Sequence, residues 1–187
     1  MIDLWPRLEP LLADAERPAR YLNHEYGCVY KPDADFHFCM VYPDTYELGQ
    51  ANQAQDGMAA ERAFLPAPAL CDTLRAERLP LFSIESCAPV AQFDVVGITL
   101  PHELAATNVL ETLDLAGISL HASKRDEGDP FVVAGGPCAY NPEPYAPFFD
   151  AFSIGEGEEA LPEGLALIKR MRSQGALRAD ILRALAR

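Results

Sequence analysis

The sequence lacks the features of a membrane, secreted or cysteine-bound metal protein. It has no run of about 18 or more apolar residues, the length that a membrane-spanning helix requires. Its first residues lack the basic-then-apolar order of a signal peptide. The five cysteines are scattered, with the closest pair, Cys28 and Cys39, 11 residues apart, so no compact zinc or iron–sulfur motif is present. We therefore expect a cytoplasmic protein with reduced thiols and no membrane contact.

Basic residues are also scarce. The 187 residues include 15 Lys and Arg against 28 Asp and Glu, for a formal charge of −13. An acidic surface repels phosphates, so we expect no direct nucleic-acid binding by this domain. Residues 169–187 are the exception, with six bases and a single acid, Asp180, giving +5 and leaving −18 for the remainder. This basic segment is suited to contact an acidic partner or another domain.

Short apolar runs that stop at Pro or Gly alternate with helical patterns. The helical patterns cover residues 68–78, 103–116 and 158–172. This alternation predicts an α/β fold, a flavodoxin-like or Rossmann-type doubly wound parallel sheet of about five strands. The strand candidates are residues 36–42, 62–65, 81–84, 95–100, 131–134 and 151–154, of which 62–65 and 81–84 are the weaker.

Three segments are expected along the chain. Residues 1–30 form a helical lead-in, and residues 31–172 form the α/β domain. Residues 173–187 contain an amphipathic helix with Leu177, Ile181 and Leu185 at helical spacing, which we expect to lead into a further domain. One connection departs from the alternation of strands and helices. Residues 46–56 must supply the first crossover helix, but they are polar and contain Gly49. That helix is either truncated or poorly formed.

Ligands of open parallel sheets bind beyond the carboxyl ends of the strands, so the residues that follow each strand are the candidates for a site. Glycines at two of these ends let a ligand approach the backbone, although Gly-Gly-Pro and Gly-Glu-Gly can also form simple turns. We favour a ligand cleft. The candidates are Asp44, Thr45 and Tyr46; Thr99, Pro101 and His102; Gly135, Gly136 and Pro137; and Gly155, Glu156 and Gly157.

None of the reactive side chains near these ends is predicted to be catalytic. Cys138 has no activating base in the sequence nearby, and a lone His102 is more typical of a hydrogen-bonding residue than of a metal ligand. The acids of the 156–159 segment suit a helix N-terminus on stability grounds alone. We therefore predict no catalytic residue and no metal ligand in this chain.

Four stretches of the chain together have a more specific pattern. They are YPDTYELG, LPLFSIES, DVVGITLPHELAATNVLETLDLAGI and GDPFVVAGGPCAYNPEPYAPFFDAFSIGEGEEA. Over residues 17–172 they resemble the N-terminal cobalamin-binding-like domain of the B12-binding domain-containing radical SAM proteins. The resemblance implies an accessory domain that docks on a radical SAM barrel of the same protein. The 4Fe-4S cluster and S-adenosylmethionine would belong to that barrel, because this sequence contains no CxxxCxxC motif.

The resemblance also implies a corrinoid site. Where histidine-ligated cobalamin domains have DxHxxG, this sequence has Asp44-Thr45-Tyr46-Glu47-Leu48-Gly49. Because a phenol is a poor cobalt ligand beside imidazole, cobalamin would bind base-off without a protein ligand to cobalt. Gly135-Gly136 and Gly155-Glu156-Gly157 would line the pocket for the nucleotide tail, and Thr99, Pro101 and His102 would lie near the corrin or the barrel.

Two other functions remain open. The domain can serve as a cofactor-free structural or substrate-positioning module, or as a stand-alone flavin- or nucleotide-binding domain of the same fold. An independent enzyme is disfavoured, because the sequence shows no nucleophile–base pair and no metal cluster.

Overall fold

A computed structural model describes residues 1–23, 30–43, 57–155 and 157–186 of the chain. The strands are β1 (Phe36–Tyr42), β2 (Met58–Phe64), β3 (Val95–Thr99), β4 (Phe131–Gly135) and β5 (Ala151–Phe152). The α-helices are α1 (Trp5–Leu12), α2 (Pro68–Ala76), α3 (Ala106–Ala116), α4 (Gly157–Ser173) and α5 (Arg178–Leu185). Short 3-10 turns occupy Pro18–Tyr21, Val90–Gln92, Glu103–Ala105, Ala122–Lys124, Pro137–Tyr140 and Ala146–Phe148.

The five strands form one parallel sheet in the order β2-β1-β3-β4-β5. This is the flavodoxin-like order, and it confirms the predicted α/β class and strand number. The chain moves outward in one direction from β1 to β2 and in the other from β3 to β5. The topological switch point therefore lies between β1 and β3, at the carboxyl end of the sheet.

Helices cover both faces of the sheet because successive side chains of each strand point to opposite faces. In β1, Cys39 and Val41 pack with α1, α2 and α3 on one face. Phe36 and Phe38 pack on the other face, in the cluster that also holds residues of α4 and α5. Gly97 of β3 makes room for this second core, because a Cβ there would lie 2.8 Å from the ring of Phe38.

The helix predictions hold to within a few residues. The predicted helix over 103–116 begins as a 3-10 turn and continues as α3, which ends at Gly117 in the left-handed conformation (φ +72°). The helix expected over 158–172 is α4, and the one expected over 68–78 is α2. The first crossover, residues 46–56, lies outside the described residues.

The strand prediction for residues 81–84 was wrong. This segment turns back on itself: Ser83 N–H donates to Ala88 O at 2.9 Å, and Phe82 forms only an isolated antiparallel bridge to Pro89. Its side chains are buried, with Leu81 1% and Ile84 3% exposed. The apolar run is therefore a loop whose side chains pack in the core. A short hydrophobic pattern cannot distinguish such a buried loop from a strand.

β2 begins at Met58, before the predicted start at residue 62, and it contains two buried charged residues. Glu61 and Arg62 are buried, although charged side chains rarely are. Arg62 Nε pairs with Glu85 at 2.7 Å, and the Ser86 hydroxyl donates to Glu61 Oε2 at 2.6 Å. The 81–89 loop thus supplies the partners that let a polar sequence form an edge strand.

Carboxylates line the amino edge of the sheet and bind the backbone of neighbouring strands. Asp94, just before β3, accepts the N–H of His37 at 2.8 Å, and Asp150, just before β5, accepts the N–H of Val132 at 2.7 Å. Each side chain therefore satisfies a backbone donor at the start of the adjacent strand.

The basic segment is attached to this same acidic edge. Besides Arg183, which pairs with Asp180 within its own helix, three of the six bases pair with aspartates that precede strands. The pairs are Lys169 with Asp35 at 2.7 Å, Arg172 with Asp94 at 2.9 Å and Arg178 with Asp150 at 2.7 Å.

The last helix packs onto the sheet domain. Ile181 is 1% exposed in the core beneath α4, and Arg178 lies over the ring of Phe131, 4.3 Å from its centroid. Leu177, by contrast, is 60% exposed. Among the described residues, no helix is long and apolar enough to cross a membrane.

Candidate functional site

The loops after β3 and β4 are joined at the carboxyl edge by backbone hydrogen bonds. Leu100 N–H donates to Gly135 O at 2.7 Å, and Cys138 N–H donates to Leu100 O at 3.0 Å. Beside them, Ser153 N–H donates to Ala134 O at 2.7 Å, so the loop that leads into α4 leaves the same edge. The structure therefore brings the candidates after β3, β4 and β5 to one edge of the sheet.

The glycines at this edge have two different roles. Gly136 has φ +92°, and a Cβ there would lie 3.1 Å from Leu100 O, so this glycine is required by the turn and by close backbone packing. Gly135, Gly155 and Gly157 would place a Cβ with no atom within 4 Å. The turn explanation accounts for Gly136 and also for Gly155, whose φ is +103°, whereas Gly135 and Gly157 border open space without that constraint.

The end of β1 is held by a residue that the sequence analysis did not select. Asn108, in the first turns of α3, donates from Nδ2 to Pro43 O at 3.0 Å and so ties β1 to the helix that follows β3. Thr99 is half-buried, with its hydroxyl 3.7 Å from Met40 Sδ. A polar residue near a helix N-terminus is common, so no sequence signal identified Asn108.

Four of the predicted site residues, Asp44, Thr45, Tyr46 and Glu156, lie outside the described residues. Of the others, Pro101 is half-buried, and His102 and Pro137 are exposed. The carbonyl of His102 accepts the N–H of Ala105 at 3.1 Å, at the start of the turn that precedes α3.

A cavity of about 740 Å³ lies beside β5, between the sheet and the last two helices. Its walls are mainly apolar and include Val133, Phe152, Leu161 and Leu185, and it reaches Ile154 of the β5–α4 loop and Ala160 in the first turn of α4. Ser153 also lines it, and the Ser153 Oγ is buried without a hydrogen-bond partner among the described residues. The cavity thus combines apolar walls with an unsatisfied hydroxyl.

A smaller groove of about 230 Å³ lies on the opposite face of the same edge, between α3 and the 137–148 segment. Cys138 lines it and is half-buried, whereas Cys39, Cys71 and Cys87 are buried. Desolvation raises the pKa of the Cys138 thiol, and the nearby carboxylate of Glu103 raises it further. The thiol is accessible but not activated as a nucleophile, in agreement with the absence of a base in the sequence.

Two large apolar side chains are exposed to solvent and adjoin the groove-lining residues Glu103 and Asn141 in sequence. Leu104, just before α3, is 86% exposed, and Tyr140 is 70% exposed. Leu104 belongs to the 3-10 turn Glu103–Ala105, so its side chain does not follow the period of α3. No group of three or more His, Cys, Asp or Glu arranged to hold a metal occurs in the described part of the chain.

The fold and its open carboxyl edge define a flavodoxin-like α/β domain with a candidate ligand site where such sheets bind ligands. Comparison with protein families matches residues 46–187 to the family described as radical SAM proteins, N-terminal. The chain belongs to this family. The match confirms the association with radical SAM proteins that the sequence motifs suggested, and it does not specify cobalamin. No curated protein and no solved structure matches the chain.

Proposed function

We propose that this domain is an accessory domain of a radical SAM protein that holds a corrinoid at the carboxyl edge of its sheet. The observation that carries the proposal is the apolar cavity beside β5. It lies next to the loop to which the resemblance assigns the corrinoid's nucleotide tail, and its volume is within the usual range of about 300–1,000 Å³ for small-molecule sites.

The described residues suit the chemistry of such a tail. Its flat aromatic base matches the apolar walls, and its sugar offers hydroxyls to the unsatisfied Ser153 Oγ. The tail phosphate suits the free N–H groups in the first turn of α4, which begins at Gly157. Gly155 and Gly157 add no Cβ that would narrow the approach.

The residues of this chain would bind and orient the group rather than carry out the chemistry. When bound, a corrinoid supplies a carrier for methyl transfer. The loops after β3 and β4 would hold its ring at the edge, and a radical SAM barrel of the same protein would contribute the iron–sulfur cluster and S-adenosylmethionine.

A titration with hydroxocobalamin, followed by its visible spectrum, tests the proposal. Gly164 lines the cavity from α4, and a Cβ there would make only ordinary contact with Leu185, at 3.7 Å. We expect Gly164→Phe to fill the cavity and weaken binding by at least about 30-fold, since it removes the tail's apolar contacts. Gly164→Ala is the matched control and should bind nearly as well as the wild type.

The two variants also separate loss of binding from loss of folding. Both variants replace a glycine inside a helix. For Ala, this replacement stabilises the folded state by up to about 1 kcal/mol. If the wild-type domain leaves the visible spectrum of hydroxocobalamin unchanged, the corrinoid proposal is overturned. Equal binding by the wild type and Gly164→Phe would show that the cavity is not the tail site.

A cofactor-free docking module is the second candidate, and the exposed Leu104 and Tyr140 favour it. This function predicts no binding of hydroxocobalamin or flavin mononucleotide by the wild type, together with association with the radical SAM domain. Binding of flavin mononucleotide alone, measured by quenching of its fluorescence, would instead support a flavin domain of the same fold.

A further inference from the structure

We infer that the groove between α3 and the 137–148 segment is the surface on which the radical SAM domain of the same protein docks. This inference rests on the proposed role as an accessory domain of a radical SAM protein. It adds where the two domains meet and what chemistry the partner surface has.

Exposed apolar side chains occur next to the groove in the chain. Leu104 and Tyr140 are among the most exposed large hydrophobic residues described in the chain, and they come from the connections after two adjacent strands. Each adjoins a groove-lining residue in sequence, and the groove itself is lined by Val109, Leu110 and Phe148 and has little polar surface. Exposed apolar side chains next to an apolar groove are typical of an interaction site.

Acidic side chains lie in the groove and on the segment that forms one of its walls. Glu103 lines the groove and Glu143 lies on the 137–148 segment, and both are exposed. Neither forms an ion pair with any residue in the described part of the chain. At the opposite edge, by contrast, Asp94 and Asp150 are paired with arginines. The groove therefore suits a partner surface with an apolar side chain at its centre and Lys or Arg around it.

The groove is connected to the loops of the candidate cofactor site. Cys138 lines the groove, and its backbone N–H is bonded to the loop after β3 at the carboxyl edge. A domain seated in the groove would thus border the open space above Gly135. A corrinoid at that edge would then lie between the two domains.

Cys138 provides a native reporter for the test. Alkylation by N-ethylmaleimide is measured at each cysteine by peptide mapping, in residues 1–187 alone and in the full-length protein that includes the radical SAM domain. We expect alkylation of Cys138 to be at least about tenfold slower in the full-length protein, because docking covers the thiol. Cys71, which is 4% exposed, is the internal reference for unfolding.

Variants of the full-length protein complete the test. Leu104→Asp and Tyr140→Asp should restore fast alkylation of Cys138, since each replaces an exposed apolar side chain of the proposed interface with a carboxylate. Leu177→Asp is the matched control, because Leu177 is 60% exposed at the start of α5, away from the groove, and should change nothing.

Each result has a distinct meaning. Protection of Cys138 that is lost in Leu104→Asp and kept in Leu177→Asp supports the inference. Equal alkylation of Cys138 in the short and full-length proteins overturns it. Since hydroxocobalamin binding is measured separately on residues 1–187, the docking surface can fail while the corrinoid proposal stands, and the reverse is equally observable.

Discussion

Asp150 is the residue whose loss should most weaken the attachment of the last helix. Its Oδ2 accepts hydrogen bonds from Arg125 at 3.0 Å, from Arg178 at 2.7 Å and from the backbone N–H of Val132 at 2.7 Å. The side chains of Arg125 and Asp150 are 0% and 2% exposed, and that of Arg178 is 8% exposed. One carboxylate thus balances two buried guanidinium groups.

The expected cost of Asp150→Ala follows from this geometry. Removing one partner of a buried ion pair costs about 3–5 kcal/mol, because the charge that stays behind is uncompensated. Arg178 keeps its bond to Pro130 O at 2.9 Å, which limits the loss. We expect about 4 kcal/mol, a large part of the roughly 5–15 kcal/mol that stabilises a domain. Asp150→Asn keeps an acceptor without the charge and should cost about 2 kcal/mol.

Urea unfolding followed by circular dichroism measures these losses. The matched control is Asp180→Ala, which removes the exposed pair of Asp180 with Arg183, whose side chains are 46% and 75% exposed. This change should cost less than about 1 kcal/mol. The reasoning is refuted if Asp150→Ala costs no more than the control, since the buried network would then contribute nothing to stability.

Three further predictions concern the turn, the thiols and the central strand. Gly136→Ala should destabilise the domain by about 1–3 kcal/mol because its φ is +92°, whereas Gly135→Ala has open space and should be nearly neutral; equal thermal shifts would contradict this. Burial raises the pKa of Cys71 and Cys87 from 9.0 to about 11, so the folded state retains protons that the unfolded state releases. The free energy of unfolding should therefore fall as pH rises from 9 toward 11, and it should fall less steeply when both cysteines are replaced by Ala. A fragment of residues 46–187, the part matched to the family, should show no cooperative unfolding because it lacks β1, which lies between β2 and β3 in the sheet.

The strands were predictable where burial on both faces produced continuous apolar runs. Residues 36–42 and 95–100 are such runs, and they form β1 and β3. The start of β2 was missed because Glu61 interrupts its apolar pattern, and the 81–89 loop supplies the partners that buried Glu61 and Arg62 require. Residues 81–84 of this loop were predicted as a strand because apolar residues indicate burial. Burial by itself does not show which backbone groups are hydrogen-bonded.

The candidate site was predictable in position but not in detail. The rule that ligands bind beyond the carboxyl ends of parallel strands selected the loops after β3, β4 and β5, and the fold brings these loops to one edge. The cavity beside β5, the contact of Asn108 with β1 and the exposure of Leu104 were not predictable. Each depends on how two elements far apart in sequence are oriented, and no local pattern contains that information.

The amino-acid sequence by itself determined the α/β class, the helix boundaries to within a few residues and, through its linked motifs, the association with radical SAM proteins. These properties follow from local hydrophobic periodicity and from turn residues such as Gly117, which act within a few positions along the chain. The tertiary structure decided which charged residues form ion pairs. The basic segment, which in sequence appeared free to meet a partner, packs against Asp35, Asp94 and Asp150 at the amino edge. Ion pairing depends on distance in space, so only the folded chain reveals these pairs, and only the folded chain shows that Leu104 and Tyr140, which follow β3 and β4, are exposed.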